Sequence, residues 1–233
     1  MEPGEFEEQI AGLAALEEPV RRHLYFYVAS RPGDVSRDEA ARAVEVSRTL
    51  AGFHLDRLAD EGLLETSFRR LSGKAGPGAG RPSKLYRRSG RQLAVSLPQR
   101  SYELAARVLA AAVDASGSRK IHTALSKVAR ELGERIGADA KARAGSGSGK
   151  RRRLERTVAA LAAHGYEPAE ATGEIRLRNC PFHALVTKHT ELVCGMNLAL
   201  VEGVVSALDP PGVRAVLDPK PGMCCVALKR GAR

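Results

Sequence analysis

The chain has 233 residues, of which 43% are hydrophobic, 27% are charged and only 4% are aromatic. The length is sufficient for two domains, and the formal net charge of +10 indicates an anionic partner, nucleic acid or a membrane surface. The acidic first segment lacks the pattern of a signal peptide, and the most apolar stretch, Leu192 to Val201, is too short to span a bilayer. These features disfavour secreted and membrane-spanning proteins and predict a soluble cytoplasmic one without membrane contacts.

The first part of the chain predicts helices followed by two strands. Residues 1–17 are acidic, and we expect a partly disordered lead there. Apolar residues at helical spacing predict a helix over 17–30, a capping box at Ser36 begins a second helix, and a third runs from about Ser47 to Asp60. The segments "LLETSFRR" and "SKLYRRS" predict strands on either side of a Gly/Pro-rich loop.

The helix from Ser47 has the composition of a groove-reading helix, because small and polar groups can form its exposed face while leucines face the core. The candidate DNA contacts on it are Ser47, Arg48, Thr49, Gly52, His54 and Arg57. A solvated amphipathic helix in any helical domain is the alternative interpretation.

The loop between the two strands and its flanks are uniformly basic, with eight Lys or Arg and no Asp or Glu between residues 69 and 91. The eight are Arg69, Arg70, Lys74, Arg81, Lys84, Arg87, Arg88 and Arg91. Although such a run is often only a solvated face, a flexible basic loop suits phosphate contacts, and Arg81 in "GRP" can enter a minor groove. The pattern therefore favours a partner of double-stranded DNA.

Three segments of this region together resemble a known family: "EEPVRRHLYFYV", "VSRTLAGFHLDRLADEGLLE" and "GRPSKLYR". They are similar to the winged-helix domain of ArsR-type bacterial regulators over roughly residues 15–90. The resemblance implies a winged helix-turn-helix DNA-binding domain, placed here at 15–92, and a homodimer on a palindromic operator.

The rest of the chain predicts a helical segment and then an α+β domain. Two helices are expected within 98–143, and the Ala/Leu/Val face of "YELAARVLAAAV" suits close packing, so this segment is predicted to supply dimer contacts. After the linker "AGSGSGK", residues 150–230 predict a basic helix, two short strands, an apolar helix and a hairpin. The predicted fold class is α+β, with a C-terminal α+β domain.

Four cysteines lie in the last quarter of the chain, and in a reducing compartment disulfides are not expected. Cys180 and Cys194 would be about 21 Å apart in one straight helix, so they meet only if the chain turns between them. Thr190 is expected to cap a new helix there. Cys224 and Cys225 are neighbours in an apparent strand, so their side chains should point to opposite faces and at most one should reach a shared site.

Three thiolates with a fourth ligand from His183, His189, a carboxylate or water suit Zn²⁺ or an iron–sulfur cluster. Two alternatives remain open at this point. The cysteines can be structural in a sensor for zinc or a small molecule, with Cys194 simply a buried small hydrophobe. A thiol enzyme is the third interpretation, but the sequence lacks a C-x-x-C pair or another nucleophile motif, so no enzyme is predicted.

A second resemblance concerns this region. The segments "NCPFHALVTKHTELVCGMNLALVEGVVSAL" and "LDPKPGMCCVAL" resemble the C-terminal sensor domain of SufR-like iron–sulfur repressors. The resemblance implies a 4Fe–4S cluster held by three cysteines, with the loaded dimer repressing a cluster-assembly operon. The expected metal ligands are Cys180, Cys194 and Cys224, and Cys225 and His183 are further candidates for contact with the cofactor.

Overall fold

A computed structural model describes residues 3–70, 82–95, 102–143, 149–171 and 173–231. The chain divides into two compact units, Met1–Arg100 and Ser101–Arg233, each described by itself. The described parts combine helices with antiparallel sheets, which is compatible with the predicted α+β class.

The described residues of the first unit form four helices and a small three-stranded sheet. In chain order its elements are α1 (Pro3–Ala14), α2 (Pro19–Ser30), β1 (Val35–Ser36), α3 (Arg37–Val44), α4 (Arg48–Asp60), β2 (Leu64–Arg69) and β3 (Ser83–Arg88). The sheet order is β1-β3-β2, and β2 pairs with β3 in antiparallel register from Leu64 opposite Arg88 to Arg69 opposite Ser83.

Local capping chemistry sets two of the helix starts, as predicted. Ser36 accepts a hydrogen bond from the backbone N–H of Glu39, and Ser47 accepts one from Leu50, both at 3.2 Å. The Glu39 carboxylate accepts a hydrogen bond from the Tyr27 hydroxyl at 3.0 Å, which ties α3 to α2.

The prediction of a disordered lead is wrong for the described residues, because 3–14 form α1. This helix packs against a segment distant in sequence: a Cβ added at Gly12 would lie 3.0 Å from a Leu93 methyl carbon. Ala15, just beyond the helix, is buried in the core with Leu24, Leu55 and other apolar residues. The lead is therefore ordered by tertiary contacts rather than by its own sequence pattern.

The second unit surrounds one apolar helix. Its elements are α5 (Tyr102–Ser116), α6 (Arg119–Arg143), α7 (Lys150–Ala163), β4 (Pro168–Ala171), β5 (Glu174–Leu177), α8 (His183–Val186), α9 (Thr190–Leu208), β6 (Val213–Leu217) and β7 (Val226–Arg230). The antiparallel sheet has the order β4-β5-β7-β6, so the predicted pair of short strands and the terminal hairpin are confirmed.

Helices α6 and α9 touch through their backbones. A Cβ at Gly133 of α6 would lie 2.0 Å from the carbonyl oxygen of Leu200, and one at Gly203 of α9 would lie 2.2 Å from that of Arg130. Because real side chains do not tolerate such distances, glycine is required at both positions. The helices of 98–143 thus belong to the same compact unit as the cysteine-bearing segment.

Helix α9 has 19 residues and a mean hydropathy of 1.5, so by length and composition it could cross a membrane. The helix is longer than the most apolar stretch, Leu192 to Val201, and extends beyond it on both sides. However, 61% of this window is buried inside the unit, where Val201 and Val204 are fully enclosed. Such burial is also what the core helix of a soluble protein shows.

None of the residues of helix α5 is buried. Tyr102, Leu104, Val108 and Leu109 are each more than 60% exposed. Its apolar face therefore remains open within this unit.

Candidate cysteine centre and nucleic-acid interface

The second unit brings all four cysteines together. Cys180 follows β5, Cys194 lies in the second turn of α9, and Cys224 and Cys225 precede β7. The short helix α8 makes the predicted turn between Cys180 and Cys194. The expected cap at Thr190 is wrong, because His189 occupies the N-cap position and the Thr190 hydroxyl donates to the carbonyl of Val186 at 2.7 Å.

Cys224 and Cys225 do not lie in a strand, contrary to the prediction. Their backbone is irregular and makes hydrogen bonds outside the β6–β7 ladder: the N–H of Cys224 donates to Leu177 at 2.9 Å, and the carbonyl of Cys225 accepts from Asp218 at 2.8 Å. The alternation of a strand therefore does not apply to these two residues.

Three of the four thiols line one cavity of about 410 Å³. They come from three separate elements: the segment after β5, helix α9 and the loop before β7. The full lining is Cys180, His183, Val186, Thr190, Glu191, Cys194, Leu217, Pro219, Met223 and Cys225. The cavity thus combines soft sulfur donors with one imidazole, one carboxylate and an apolar wall.

Cys224 lies behind this cavity rather than on its wall. It is 1% exposed, and the amide of Asn197, which is itself fully buried, donates to its sulfur at 3.2 Å. The Tyr166 hydroxyl in turn donates to the other end of that amide, Asn197 Oδ1, at 2.5 Å. Burial, followed by the nearby Cys224 charge, raises the pKa of Tyr166, so its hydroxyl remains a donor.

The thiols of Cys180, Cys224 and Cys225 influence one another's pKa. Hydrogen bonds from Cys180 and then Cys225 lower the pKa of Cys224, although burial acts in the opposite direction. The same interaction with Cys224, together with burial, raises the pKa of Cys180 and of Cys225.

Among the described residues, no three His, Cys, Asp or Glu side chains have a geometry that could hold a single metal ion. His189 is not available, because its ring contacts Asp114 of α5. Thiols are donors for both zinc ions and iron–sulfur clusters, and three of them lie on the wall of this cavity.

An ion-pair network holds the loop that carries Cys225. Arg176 of β5 is 4% exposed and pairs with Glu174 at 2.5 Å and with the side chain of Asp218, and its guanidinium also donates to the Asp218 carbonyl at 2.8 Å. Hydrogen bonds from Lys229 and Arg176 lower the pKa of Asp218 to about 2.

Sequence analysis did not single out Arg176 or Asn197. For Asn197, the available signal was a single amide side chain within the apolar α9 segment.

Helix α4 of the first unit presents only part of the predicted DNA face. Ser47, Arg48, Thr49 and Arg57 are exposed. The predictions for Gly52 and His54 are wrong: the Arg37 side chain covers Gly52, and His54 is 6% exposed, with Nε2 3.6 Å from Glu18. Both residues face the unit's interior.

Two large apolar residues on α4, Leu50 and Phe53, are exposed and were not predicted as contacts. Phe53 is 65% exposed. Arg48 pairs with Asp38 at 2.7 Å and Arg57 with Glu61 at 2.6 Å, but such surface pairs contribute little and are easily exchanged for phosphates. The exposed face of α4 is therefore mixed, with cations beside an aromatic ring.

The predicted basic loop is only partly described. Lys74 and Arg81 lie outside the described residues, whereas Arg69 and Arg70 are exposed at the end of β2. Three of the cations already have partners within the unit: Lys84 with Asp56 at 2.7 Å, Arg87 with Glu65 at 2.6 Å, and Arg91 with the Glu61 carbonyl at 2.6 Å.

Asp56 of α4 is the centre of a polar network that ties β3 to the helices. Burial raises the pKa of this carboxyl, but hydrogen bonds from Lys84, Tyr86 and Arg37 outweigh it and lower the pKa overall. Arg37 and Lys84 also line a cavity of about 480 Å³ with Arg48 and Phe68. The wall of this cavity also includes Asp38, which pairs with Arg48, so each of its three cations has a carboxylate partner within the unit.

No protein-family profile matches this chain, and no curated protein matches it.

Proposed function

We propose that this protein is a dimeric transcriptional repressor that binds operator DNA through its first unit and senses iron or redox state through an iron–sulfur cluster in its second. In this proposal the first unit is a winged helix-turn-helix, α4 is its recognition helix, and β2 and β3 belong to its wing. The cluster is held by Cys180, Cys194 and Cys225.

The observation that carries the proposal is the meeting of three thiols from three elements on one cavity. It supports Cys225 rather than Cys224 as the third ligand, since Cys224 does not line the cavity and its sulfur already accepts from Asn197. His183 and Glu191 are the remaining ionisable side chains on the wall and are the candidates for a fourth ligand.

The DNA-binding part of the proposal is supported by the order of the elements and by the charge. Two capped helices, α3 and α4, precede an antiparallel strand pair, and exposed Arg48, Arg57, Arg69 and Arg70 lie on α4 and at the end of β2. The net charge of +10 gives the long-range attraction that DNA binding requires.

In the proposed mechanism the three cysteines tie the segment after β5, helix α9 and the loop before β7 to one another. A bound cluster supplies an oxidisable centre. When the cysteines no longer share it, the three elements are free to separate, and α9 transmits the change to α6 through their backbone contact. Operator affinity then falls.

The first test is purification without oxygen, with a visible spectrum and iron and sulfide assays on one sample. We expect a broad absorption near roughly 400 nm, as for thiolate-bound clusters. Cys225→Ser should lose this absorption, and Cys224→Ser, which changes the neighbouring thiol, should keep it. A colourless wild-type protein after reconstitution would refute the cluster.

The second test compares operator binding with and without the cluster. Duplexes selected from a random pool by the loaded protein serve as the probe, and footprinting is the readout. We expect protection that weakens on cluster loss and that falls steeply with added salt. Identical footprints for loaded and cluster-free protein would refute the coupling.

A small-molecule sensor is the second candidate, because Val186, Leu217, Pro219 and Met223 give the cavity an apolar wall. In that case the thiols are structural, and a variant with Cys180, Cys194 and Cys225 all replaced by Ser should bind DNA normally. The cluster proposal instead predicts that this variant cannot repress.

A further inference from the structure

The two units share the positive charge of the chain unequally. The first unit, residues 1–100, has 16 Lys or Arg against 14 Asp or Glu, whereas the second unit, residues 101–233, has 21 against 13. Most of the net charge of +10 therefore belongs to the second unit, to which the proposed function assigns sensing. A site for a cluster or a small molecule gives no reason for such an excess of cations.

The excess is concentrated where α6 ends and α7 begins. Residues 141–153 contain six Lys or Arg and no Asp or Glu. Helices α6 and α7 are in contact, and Ala140 and Leu154, which lie close to these two helix ends, pack against the same core. Arg143 and Lys150 are seven residues apart, so their Cα atoms are separated by at most about 25 Å. The cations of both helix ends thus lie in one region of the unit's surface.

Four of these cations are exposed and make no ion pair or hydrogen bond with another described residue, and we call them the basic surface. They are Lys141, Arg143, Lys150 and Arg152. The neighbouring Arg151 and Arg153 differ, because they pair with Glu155 at 2.8 Å and with Asp209 at 2.7 Å. The four charges of the basic surface are therefore available to an external anion.

The charge at the start of α7 is the opposite of what helix stability favours. The N-terminus of a helix carries a partial positive charge, which acidic side chains stabilise and cations oppose. The first turn of α7 contains no acidic residue, and its N-cap, Gly149, makes no side-chain capping hydrogen bond. Four consecutive cations, residues 150–153, occupy this turn instead. An approaching anion would relieve their repulsion, so the arrangement suits a binding role rather than a structural one.

The basic surface suits phosphates of a nucleic acid better than a lipid surface. Helices that lie on a membrane place large apolar side chains beside their cations. The large apolar side chains of α7, Leu154, Val158 and Leu161, belong to the core or pack against it, and residues 138–143 of α6 include none. Exposed cations without apolar neighbours match the contacts that proteins make with DNA phosphates.

We propose that the second unit contacts double-stranded DNA through the basic surface, by phosphate contacts that do not depend on the base sequence. This inference rests on the DNA-binding part of the proposed function and requires no cluster. In this arrangement the first unit selects the sequence, whereas the basic surface increases the affinity for any duplex.

A full-length variant that lacks the four charges tests the inference. Its substitutions are Lys141→Gln, Arg143→Gln, Lys150→Gln and Arg152→Gln. A matched control removes four exposed cations of the same unit that lie outside the basic surface: Arg119→Gln, Lys120→Gln, Lys188→Gln and Arg214→Gln. Because both variants lose the same net charge, a difference between them reports on position. In urea the basic-surface variant should be no less stable than the wild type, since the cations it loses from α7 oppose the helix dipole.

Fluorescence anisotropy measures the affinity for a selected duplex and for a scrambled duplex of equal length over a range of salt concentrations. The logarithm of the association constant falls with the logarithm of salt concentration, with a slope of about 0.9 for each phosphate contact. The basic-surface variant should bind both duplexes at least about tenfold more weakly at about 0.1 M salt, and its slope should be smaller by roughly 3 to 4. The ratio of the two affinities should equal that of the wild type, and the control should keep the wild-type slope.

Three results would overturn the inference. The first is a wild-type slope in the basic-surface variant, and the second is an equal loss of affinity in both variants, which would indicate net charge rather than contacts. The third is unchanged DNA binding with loss of binding to phosphatidylserine vesicles, which would assign the surface to a membrane. A wild-type protein that binds both duplexes equally, with a slope that still depends on the basic surface, would count against the proposed function alone. A wild-type protein that binds neither duplex at low salt would overturn both.

Discussion

Replacement of Gly203 by Ala should separate the two central helices of the second unit. The added Cβ would lie 2.2 Å from the Arg130 carbonyl oxygen, 2.9 Å from the Glu134 nitrogen and 3.0 Å from the Gly133 Cα. All three neighbours are backbone atoms, so no side-chain rotation relieves the overlap. Since ordinary contacts begin near roughly 3.4 Å, the helices must move apart by about 1 Å, at a cost of about 3 kcal/mol.

Gly195→Ala is the matched control, because it makes the same chemical change in the same helix. A Cβ at Gly195 would meet nothing within 4 Å. Alanine is the better helix former, so this variant should be more stable than the wild type by about 0.5–1 kcal/mol. The two substitutions should therefore change stability in opposite directions.

Urea unfolding of the full chain, followed by far-UV circular dichroism, measures both changes, and hydrogen exchange of peptides from α9 assigns them to this unit. The midpoint should fall for Gly203→Ala and rise slightly for Gly195→Ala. If Gly203→Ala is no less stable than the control, then the two backbones do not touch as described, and the link from α9 to α6 in the proposed mechanism fails with it.

Three further predictions concern single side chains. Tyr166→Phe leaves the buried Oδ1 of Asn197 without its hydrogen-bond donor and should lower the free energy of unfolding by about 2 kcal/mol, as measured by urea unfolding. An unchanged midpoint of the urea transition would contradict this hydrogen bond. The pKa of Asp218 is lowered to about 2 from an ordinary value of 3.8, so the ionised carboxylate stabilises the fold fully above about pH 4, and this stabilisation is lost as the pH falls through about 2. Urea unfolding of Asp218→Asn should show a lower free energy of unfolding at neutral pH and a weaker dependence on pH between about 4 and 2. If the free energies of unfolding of both proteins depend on pH in the same way, Asp218 does not contribute this stabilisation. Phe53→Ala should weaken binding to a selected duplex about tenfold, measured by fluorescence anisotropy, because the exposed aromatic ring on α4 can contact thymine methyl groups. The control Phe26→Ala, which removes an exposed ring on α2, should leave the affinity for the duplex unchanged. An equal loss of affinity in both variants would argue against α4 as the recognition helix.

The sequence pattern predicted those helices and strands that depend on residues close together in the chain. Ser36 and Ser47 cap helices because their hydroxyls reach backbone N–H groups three residues away, and the hairpin of β6 and β7 follows from two short apolar segments close in sequence. Helix α1 could not be predicted in this way, since it depends on contact with Leu93, about eighty residues further along the chain.

In the candidate cysteine site, too, features that depend on nearby residues were predicted, and features that depend on distant contacts were not. The sequence indicated that the cysteines gather, because the chain turns between Cys180 and Cys194. It could not indicate which of Cys224 and Cys225 reaches the cavity, since that depends on hydrogen bonds from Cys224 to Leu177 and from Asp218 to Cys225 that lie outside any regular ladder. Likewise, His54 has the spacing of an exposed residue but faces inward toward Glu18 of α2.

The glycine contact between α6 and α9 also has a mechanical consequence. Cys194 and Gly203 are nine residues apart on one helix, about 14 Å along its axis. Because the two backbones are in contact around Gly203, any tilt of α9 relative to α6 would pivot about this contact. A small movement of the thiol end would then reappear as a tilt on the far side of the crossing, where Leu208 ends the helix.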